Sequence, residues 1–116
     1  MRYTSEAYWD RILNASLCKF FILRALCDGP SHGYELIQRV ARLTDGFCVP
    51  TQGTIYPVLR EFQRCGCATC RRRVVGGRVR KVYAVTAKGR RAYRVGLQVW
   101  RKGLCCITEV VDRKEV

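Results

Sequence analysis

The sequence predicts a mainly α fold with a small β-hairpin, an α+β protein. Three observations predict it. Apolar residues recur at helical spacing through most of the chain. Gly76-Gly77 joins two β-like runs, CATCRRRVV and RVRKVYAVT. The 116 residues, 48% of them hydrophobic, are enough for one domain with a real core.

From Tyr3 to Leu13, one helical side carries Tyr8, Trp9, Ile12 and Leu13, which predicts a short first helix over residues 3–13. The stretch ASLCKFFILRALCDGP is helical by length and apolar on a wide face through Leu17, Phe20, Phe21, Leu23 and Leu26. Asp28-Gly29-Pro30 stops it. A further helix follows from about Gly33 to Leu43, with Leu36, Ile37 and Val40 inward. The next runs from about Gln52 to Arg64. Thr51 is its expected N-cap, its hydroxyl accepting from an early free N–H. Ile55, Val58, Leu59 and Phe62 stand at i, i+3, i+4 and i+7, and Gln52, Thr54, Tyr56 and Arg60 occupy the other side. Pro57 should kink this helix near its first turn. Gly66 ends it. The Gly-Gly pair supplies the positive φ of a tight hairpin whose arms carry arginines.

The last helix starts near Thr86. Tyr93, Leu97, Trp100, Leu104, Ile107 and Val111 are spaced as an a/d seam. A second apolar stripe, Ala92, Val95, Val99, Cys106 and Val110, lies about 120° round at ~100° per residue. One stripe can pack on its own domain; the other calls for a partner, most simply a second copy.

Charge narrows the function. The net charge is +13, from 22 Lys and Arg against 9 Asp and Glu. No acid stands between Phe62 and Thr108, a stretch holding 13 Lys and Arg. A half-chain of one sign is a field whose usual partner is a polyanion. No apolar run reaches the ~18–20 residues that cross a bilayer, and MRYTSEAYWD has no apolar signal core, so no membrane partner is expected and the expected compartment is the cytoplasm. A single histidine, His32, with no matching acid or nucleophile pattern gives no catalytic constellation, so no enzyme is expected. No cofactor is expected either.

Helices followed by a basic hairpin, with one polar-faced helix before it, make a winged helix-turn-helix with a C-terminal dimerisation helix. In that layout the polar-faced helix lies in the major groove of double-stranded DNA, and the hairpin follows the backbone or enters the minor groove. Gln52, Thr54 and Tyr56 would face base edges and phosphates. Arg71, Arg72, Arg73, Arg78, Arg80 and Lys81 would contact phosphate or the minor groove.

Three motifs, GPSHGYEL at 29–36, TQGTIYPVLREF at 51–62 and GGRVRKVYAVTAKG at 76–89, resemble the PadR family of transcriptional regulators in order and separation. The likeness covers about residues 15–112. It implies a cytoplasmic homodimeric repressor, held together by the C-terminal helix, that binds a palindromic operator and answers to a small-molecule effector. Residues 1–86 would be the DNA-binding domain and 87–116 the dimerisation helix. Tyr34, Thr51 and Arg60 join the expected DNA-contacting set. Trp9, Tyr93, Leu97, Trp100, Leu104, Ile107 and Val111 form the expected dimer interface. Trp100 stands where some members carry a tryptophan lining a ligand pore, and a packing tryptophan is the alternative. His32 would structure a helix start.

Eight cysteines leave a second reading, a thiol-based heavy-metal or redox-sensing regulator. Structural disulfides do not suit a reducing compartment. Cys67 should begin a strand and face the core. Alternation would place Cys70 on the opposite face, so Cys65, Cys67 and Cys70 would not converge on one metal. An exposed Cys70 beside Arg71, Arg72 and Arg73 would have a depressed pKa and act as a sensor. Cys48, Cys105 and Cys106 are the other candidates.

Overall fold

A computed structural model describes residues 2–113 of the chain. Met1 and residues 114–116, the ends of the two spans expected from sequence, lie outside the described residues. After a short 3-10 turn at Arg2–Thr4 come α1 (Glu6–Cys27), β1 (Ser31–His32), α2 (Gly33–Leu43), α3 (Gln52–Arg64), β2 (Ala68–Val75), β3 (Arg78–Val85) and α4 (Ala87–Asp112). The three strands form one antiparallel sheet in the order β1-β3-β2. This is a winged helix-turn-helix: three helices, a two-stranded wing, and a long terminal helix.

The first departure from expectation is α1. Two helices were expected between Tyr3 and Cys27, and the structure has one of 22 residues. No Gly or Pro interrupts the polar stretch Asn14–Ser16. Its side chains fold back on the helix instead: Asn14 Nδ2 donates to the Asp10 carbonyl and Ser16 Oγ to the Leu13 carbonyl.

The core lies where α1, α2 and α3 meet the base of the wing. Ile22 and Leu26 of α1, Leu36 and Val40 of α2, and Ile55 and Leu59 of α3 are fully buried. Ala68 and Tyr83 close the cluster from the sheet. Each buried aliphatic side chain stabilises by about 1.5–3 kcal/mol relative to exposure.

Local chemistry fixes how the helices enter and leave this core. His32 is the N-cap of α2, and its Nδ1 accepts from the Glu35 N–H at 3.2 Å. Arg39 pins the turn before α2 by donating to the Gly29 carbonyl and pairing with Glu35, both at 2.8 Å. Two helix ends close as Schellman turns. After α2, the Gly46 N–H reaches the Ala41 carbonyl and the Asp45 N–H reaches Arg42, with Asp45 left-handed at φ 54°. After α3, the Cys67 N–H reaches the Phe62 carbonyl and the Gly66 N–H reaches Gln63. Thr86 Oγ1 then donates to the Gly66 carbonyl at 2.6 Å and accepts from the Gly89 N–H, joining the end of α3 to the start of α4.

One smaller expectation needs correction. Thr51 is the N-cap of α3, but its hydroxyl meets the Thr54 hydroxyl at 3.1 Å; its backbone carbonyl, not the side chain, takes the early N–H groups. Helix α3 continues through Pro57, as expected. There the loss is one donor, the N–H that would reach the Gly53 carbonyl.

Candidate nucleic-acid interface

The wing is a two-residue hairpin. Gly76 and Gly77 both have positive φ, 59° and 79°, and Val75 pairs with Arg78 across them. Such a primed turn matches the right-handed twist of the strands and fixes their register. Register then assigns every wing side chain to a face, because directly opposed residues share one. Ala68 with Val85, Cys70 with Tyr83, Arg72 with Lys81, and Val74 with Val79 lie on the core-side face. Thr69 with Ala84, Arg71 with Val82, Arg73 with Arg80, and Val75 with Arg78 lie on the outer face. The cations expected to meet DNA are therefore split, with Arg71, Arg73, Arg78 and Arg80 outside and Arg72 and Lys81 inside.

Among the described residues no acid pairs with them. Among the described residues, the ion pairs use Lys19, Arg24, Arg39 and Arg113, none of which lies on α3 or the wing. Arg71, Arg72, Arg73, Arg78 and Lys81 are exposed and Arg80 is half-buried. On α3, Gln52, Thr54 and Arg60 are exposed on the side away from Ile55 and Leu59. Tyr34, on the first turn of α2, is 54% exposed.

Three elements converge beside this surface. Strand β1 pairs with β3 only at Tyr83 and Val82, which leaves the β3 edge open at Arg80 and Lys81. That edge, Tyr56 of α3, and His32 and Gly33 at the start of α2 line one hollow. Tyr56 is half-buried because its ring lies over Gly33, where an added Cβ would stand 2.5 Å from Cε1. It is both a packing residue and part of the surface. Thr51 and Thr54 open instead onto a groove of about 400 Å³ shared with Arg11 and Asn14 of α1. The structure thus brings Tyr56, Arg80 and Lys81 together, while Arg71 and Arg73 flank a separate hollow with Thr69, Val82 and Ala84. Strand β1 was missed from sequence. Its two residues are too few for a periodic signal, and their pairing partners lie about fifty positions away.

The cysteines sort by burial. Cys70 is half-buried against the core beside Tyr83, not exposed beside the arginines. It shares its face with buried Ala68. Cys67, also buried, precedes the strand in the Schellman turn, where strand alternation does not apply. Burial, then the neighbouring Cys70, pushes the Tyr83 hydroxyl up to about 12. Cys48 is 2% exposed and lies against Cys18. Burial raises both thiols, Cys18 to about 11. Cys65, Cys105 and Cys106 are exposed. Among the described residues no three His, Cys, Asp or Glu side chains gather in a way that could hold a metal ion.

Helix α4 divides in two. In its first half, the Tyr93 ring stacks on Phe20 at 5.2 Å and its hydroxyl accepts from Arg24 Nη1. Trp100 lies 6.1 Å from the same Phe20. These two seam residues are half-buried within their own chain, beside a hollow of about 220 Å³ lined by Phe20, Leu23, Tyr93, Gly96 and Trp100. Beyond Gly103 the seam is bare: Leu104 is 57% exposed, Ile107 51% and Val111 72%. Trp9 on α1 is equally open at 57%, its Nε1 donating to the Tyr3 carbonyl. Among the described residues no helix is long and apolar enough to cross a membrane.

The model of the transcriptional regulator PadR-like family matches residues 22–95. A transcriptional regulator of Mycobacterium tuberculosis is 38% identical over 74 residues, covering 64% of this chain and 66% of its own length. The transcriptional regulator YqjI of Escherichia coli is 38% identical over 71 residues, covering 61% of this chain and 33% of its own. The match therefore spans under two thirds of the first relative and a third of the second. Among solved structures, a transcriptional regulator from Clostridium thermocellum has a TM-score of 0.77 at 22% identity, with 86% of this chain and 98% of that one covered. A PadR family transcriptional regulator from Eggerthella lenta has a TM-score of 0.74 at 22% identity, covering 95% and 100%. At that identity the likeness shows the winged-helix fold.

Proposed function

The chain belongs to the transcriptional regulator PadR-like family, and from that premise we propose that it is a cytoplasmic homodimeric repressor that binds a palindromic operator in double-stranded DNA. The observation that carries this reading is the cationic wing, without an ion pair among the described residues, beside the exposed polar side of α3. Gln52, Thr54 and Tyr56 meet base edges and nearby phosphates in the major groove. Tyr34, Thr51 and Arg60 support that docking. The cations of the wing meet phosphate. The second copy covers the bare seam of α4, with Leu104, Ile107 and Val111 at its centre and Trp9 at its margin. Joining two such units would present two recognition helices to two half-sites, as operator symmetry requires.

The test is binding of the purified chain to duplex fragments taken from its own upstream region, followed by fluorescence anisotropy across a salt series. A steep linear fall of log affinity with log salt is expected, with ~0.9 of slope for each phosphate contact. Affinity indifferent to salt would overturn the reading.

The effector of this regulator is a small flat apolar molecule held in the hollow beside Trp100. The stacked Phe20 and Tyr93 rings support this, since they offer planar faces next to the bare seam. In a Trp9→Phe background, Trp100 is the one remaining tryptophan. Its emission should quench on titration with planar aromatic compounds that also release DNA. The thiol-responsive alternative rests on Cys105 and Cys106, because Cys48 and Cys70 are turned inward. Release of DNA by Hg(II) or diamide from wild type but not from a Cys105→Ser/Cys106→Ser variant would favour it.

A further inference from the structure

The wing ends in an apolar pair that its charge does not explain. Val74 is 73% exposed and Val79 69%, as open as the bare end of α4. They face each other across the strands on one side of the sheet, one step back from the Gly-Gly turn. Opposed Cβ atoms on such a pair stand about 4.5–5.5 Å apart, so the two side chains form one patch. No core residue lies beneath it. The neighbouring pair on the same face is Arg72 with Lys81, and the flanking pairs on the opposite face are Arg73 with Arg80 and Val75 with Arg78.

The hairpin is thus apolar on one face just behind its turn, and cationic around that patch on both faces. A protein partner with an acidic ring would need one charged rim around one flat patch. Cations on two opposite faces of a thin blade fit a slot with anionic walls on both sides. The minor groove is such a slot, about 6 Å wide, with phosphates along both lips and sugars and base edges within. Apolar side chains driven into it prise base steps apart and bend the duplex, and flexible pyrimidine–purine steps yield most readily.

We propose that Val74 and Val79 enter the minor groove as an apolar wedge, flanked by Arg72 and Lys81 on one face and Arg73 and Arg80 on the other, and bend the operator. This rests on the DNA-binding reading and adds to it an apolar residue pair and a deformation of the duplex. Part of the operator's sequence preference then comes from bendability beneath the wing, at positions no side chain reads through hydrogen bonds. The arginines supply salt-dependent affinity, and the valines supply shape.

The experiment compares wild type with Val74→Thr/Val79→Thr. Threonine keeps the β-branched shape, and both sites are open to solvent, so the hairpin keeps its register. Bend angle is read by energy transfer between dyes at the two ends of an operator duplex, and affinity by anisotropy across salt. The expected result is a smaller bend, a several-fold loss of affinity and an unchanged salt slope. Replacing a TA or CA step beneath the wing with a stiff A-tract should cost wild type more affinity than the variant. Equal bend and affinity in the two proteins would overturn the wedge and leave DNA binding intact. A flattened salt slope in the variant would also overturn it, because the pair would then be acting only through phosphate contacts. A change in sedimentation without change in bend would assign the patch to a second copy instead. Failure of wild type to bind any duplex at low salt would overturn both readings.

Discussion

The recognition helix with its wing and the far half of α4 are both exposed, but they are exposed for opposite reasons. Helix α3 turns Ile55, Val58 and Leu59 into the core and keeps Gln52, Thr54 and Arg60 outside. Its apolar requirement is met within the chain, so its outer side is free to meet a polar ligand. The far half of α4 turns Leu104, Ile107 and Val111 to solvent with nothing behind them. Its surface is incomplete in one chain. Exposure of charge without acids marks a site for a polyanion, whereas exposure of a seam marks a site for another helix.

The sharpest way to break this contrast is to charge the seam. Leu104→Glu/Ile107→Glu should leave the fold intact, because both residues are already exposed, and should yield a monomer in sedimentation. Losing the second half-site costs the effective concentration that linkage supplies, so operator affinity should fall by about 10²–10⁴-fold. A dimer that survives both charges would place the interface elsewhere.

Smaller effects follow on the recognition side. Gln52→Ala or Thr54→Ala should remove about 1–3 kcal/mol of discrimination at one base position. Selection from a randomised duplex library before and after substitution would detect it. Arg78→Ala/Arg80→Ala should instead weaken all sequences alike and lower the salt slope by about 1.8, at ~0.9 per contact. If the arginine pair changed sequence preference and the glutamine did not, the roles of helix and wing would be reversed.

The features legible in the sequence were those set by short-range periodicity. The apolar spacing of α3 survived Pro57, because tertiary burial of Ile55 and Leu59 outweighs one missing donor. The Gly-Gly turn fixed the wing register by backbone conformation alone. What could not be read depended on distant partners. Helix α1 is continuous where two helices were expected; no Gly or Pro breaks it at Asn14–Ser16, whose polar side chains bond back to carbonyls of the same helix. Pairing of Ser31 with Tyr83 makes β1, and no local pattern announces it. The burial of Cys70 followed from which face of the wing meets the core. Its neighbours in sequence, three arginines, pointed the other way. The Val74–Val79 patch lies on that same face, and alternation could not show that the core ends before the far end of the wing.

Thiols offer the finest probe of the same contrast. Cys18 and Cys48 lie beneath the start of α3, and Cys105 and Cys106 lie on bare α4. The thiolate is the reactive form, so an aromatic disulfide reagent at pH 8 should label Cys105, Cys106 and Cys65 promptly and reach Cys18 and Cys48 only on unfolding. Stability should show the buried pair as well. The Cys18 thiol ordinarily ionises at 9.0, and burial, then its contact with Cys48, pushes it up to about 11. Below pH 9 both folded and unfolded chains keep that proton, and its contribution is fully present. Above pH 9 the unfolded chain releases it first, so stability falls until the pH passes about 11. Melting temperature measured from pH 8 to 11 should therefore decline, and Cys18→Ala should flatten that decline whatever it does to stability at neutral pH. An unchanged slope in the variant would mean that Cys18 is solvated in the folded chain, and that the region under α3 is less closed than its burial indicates.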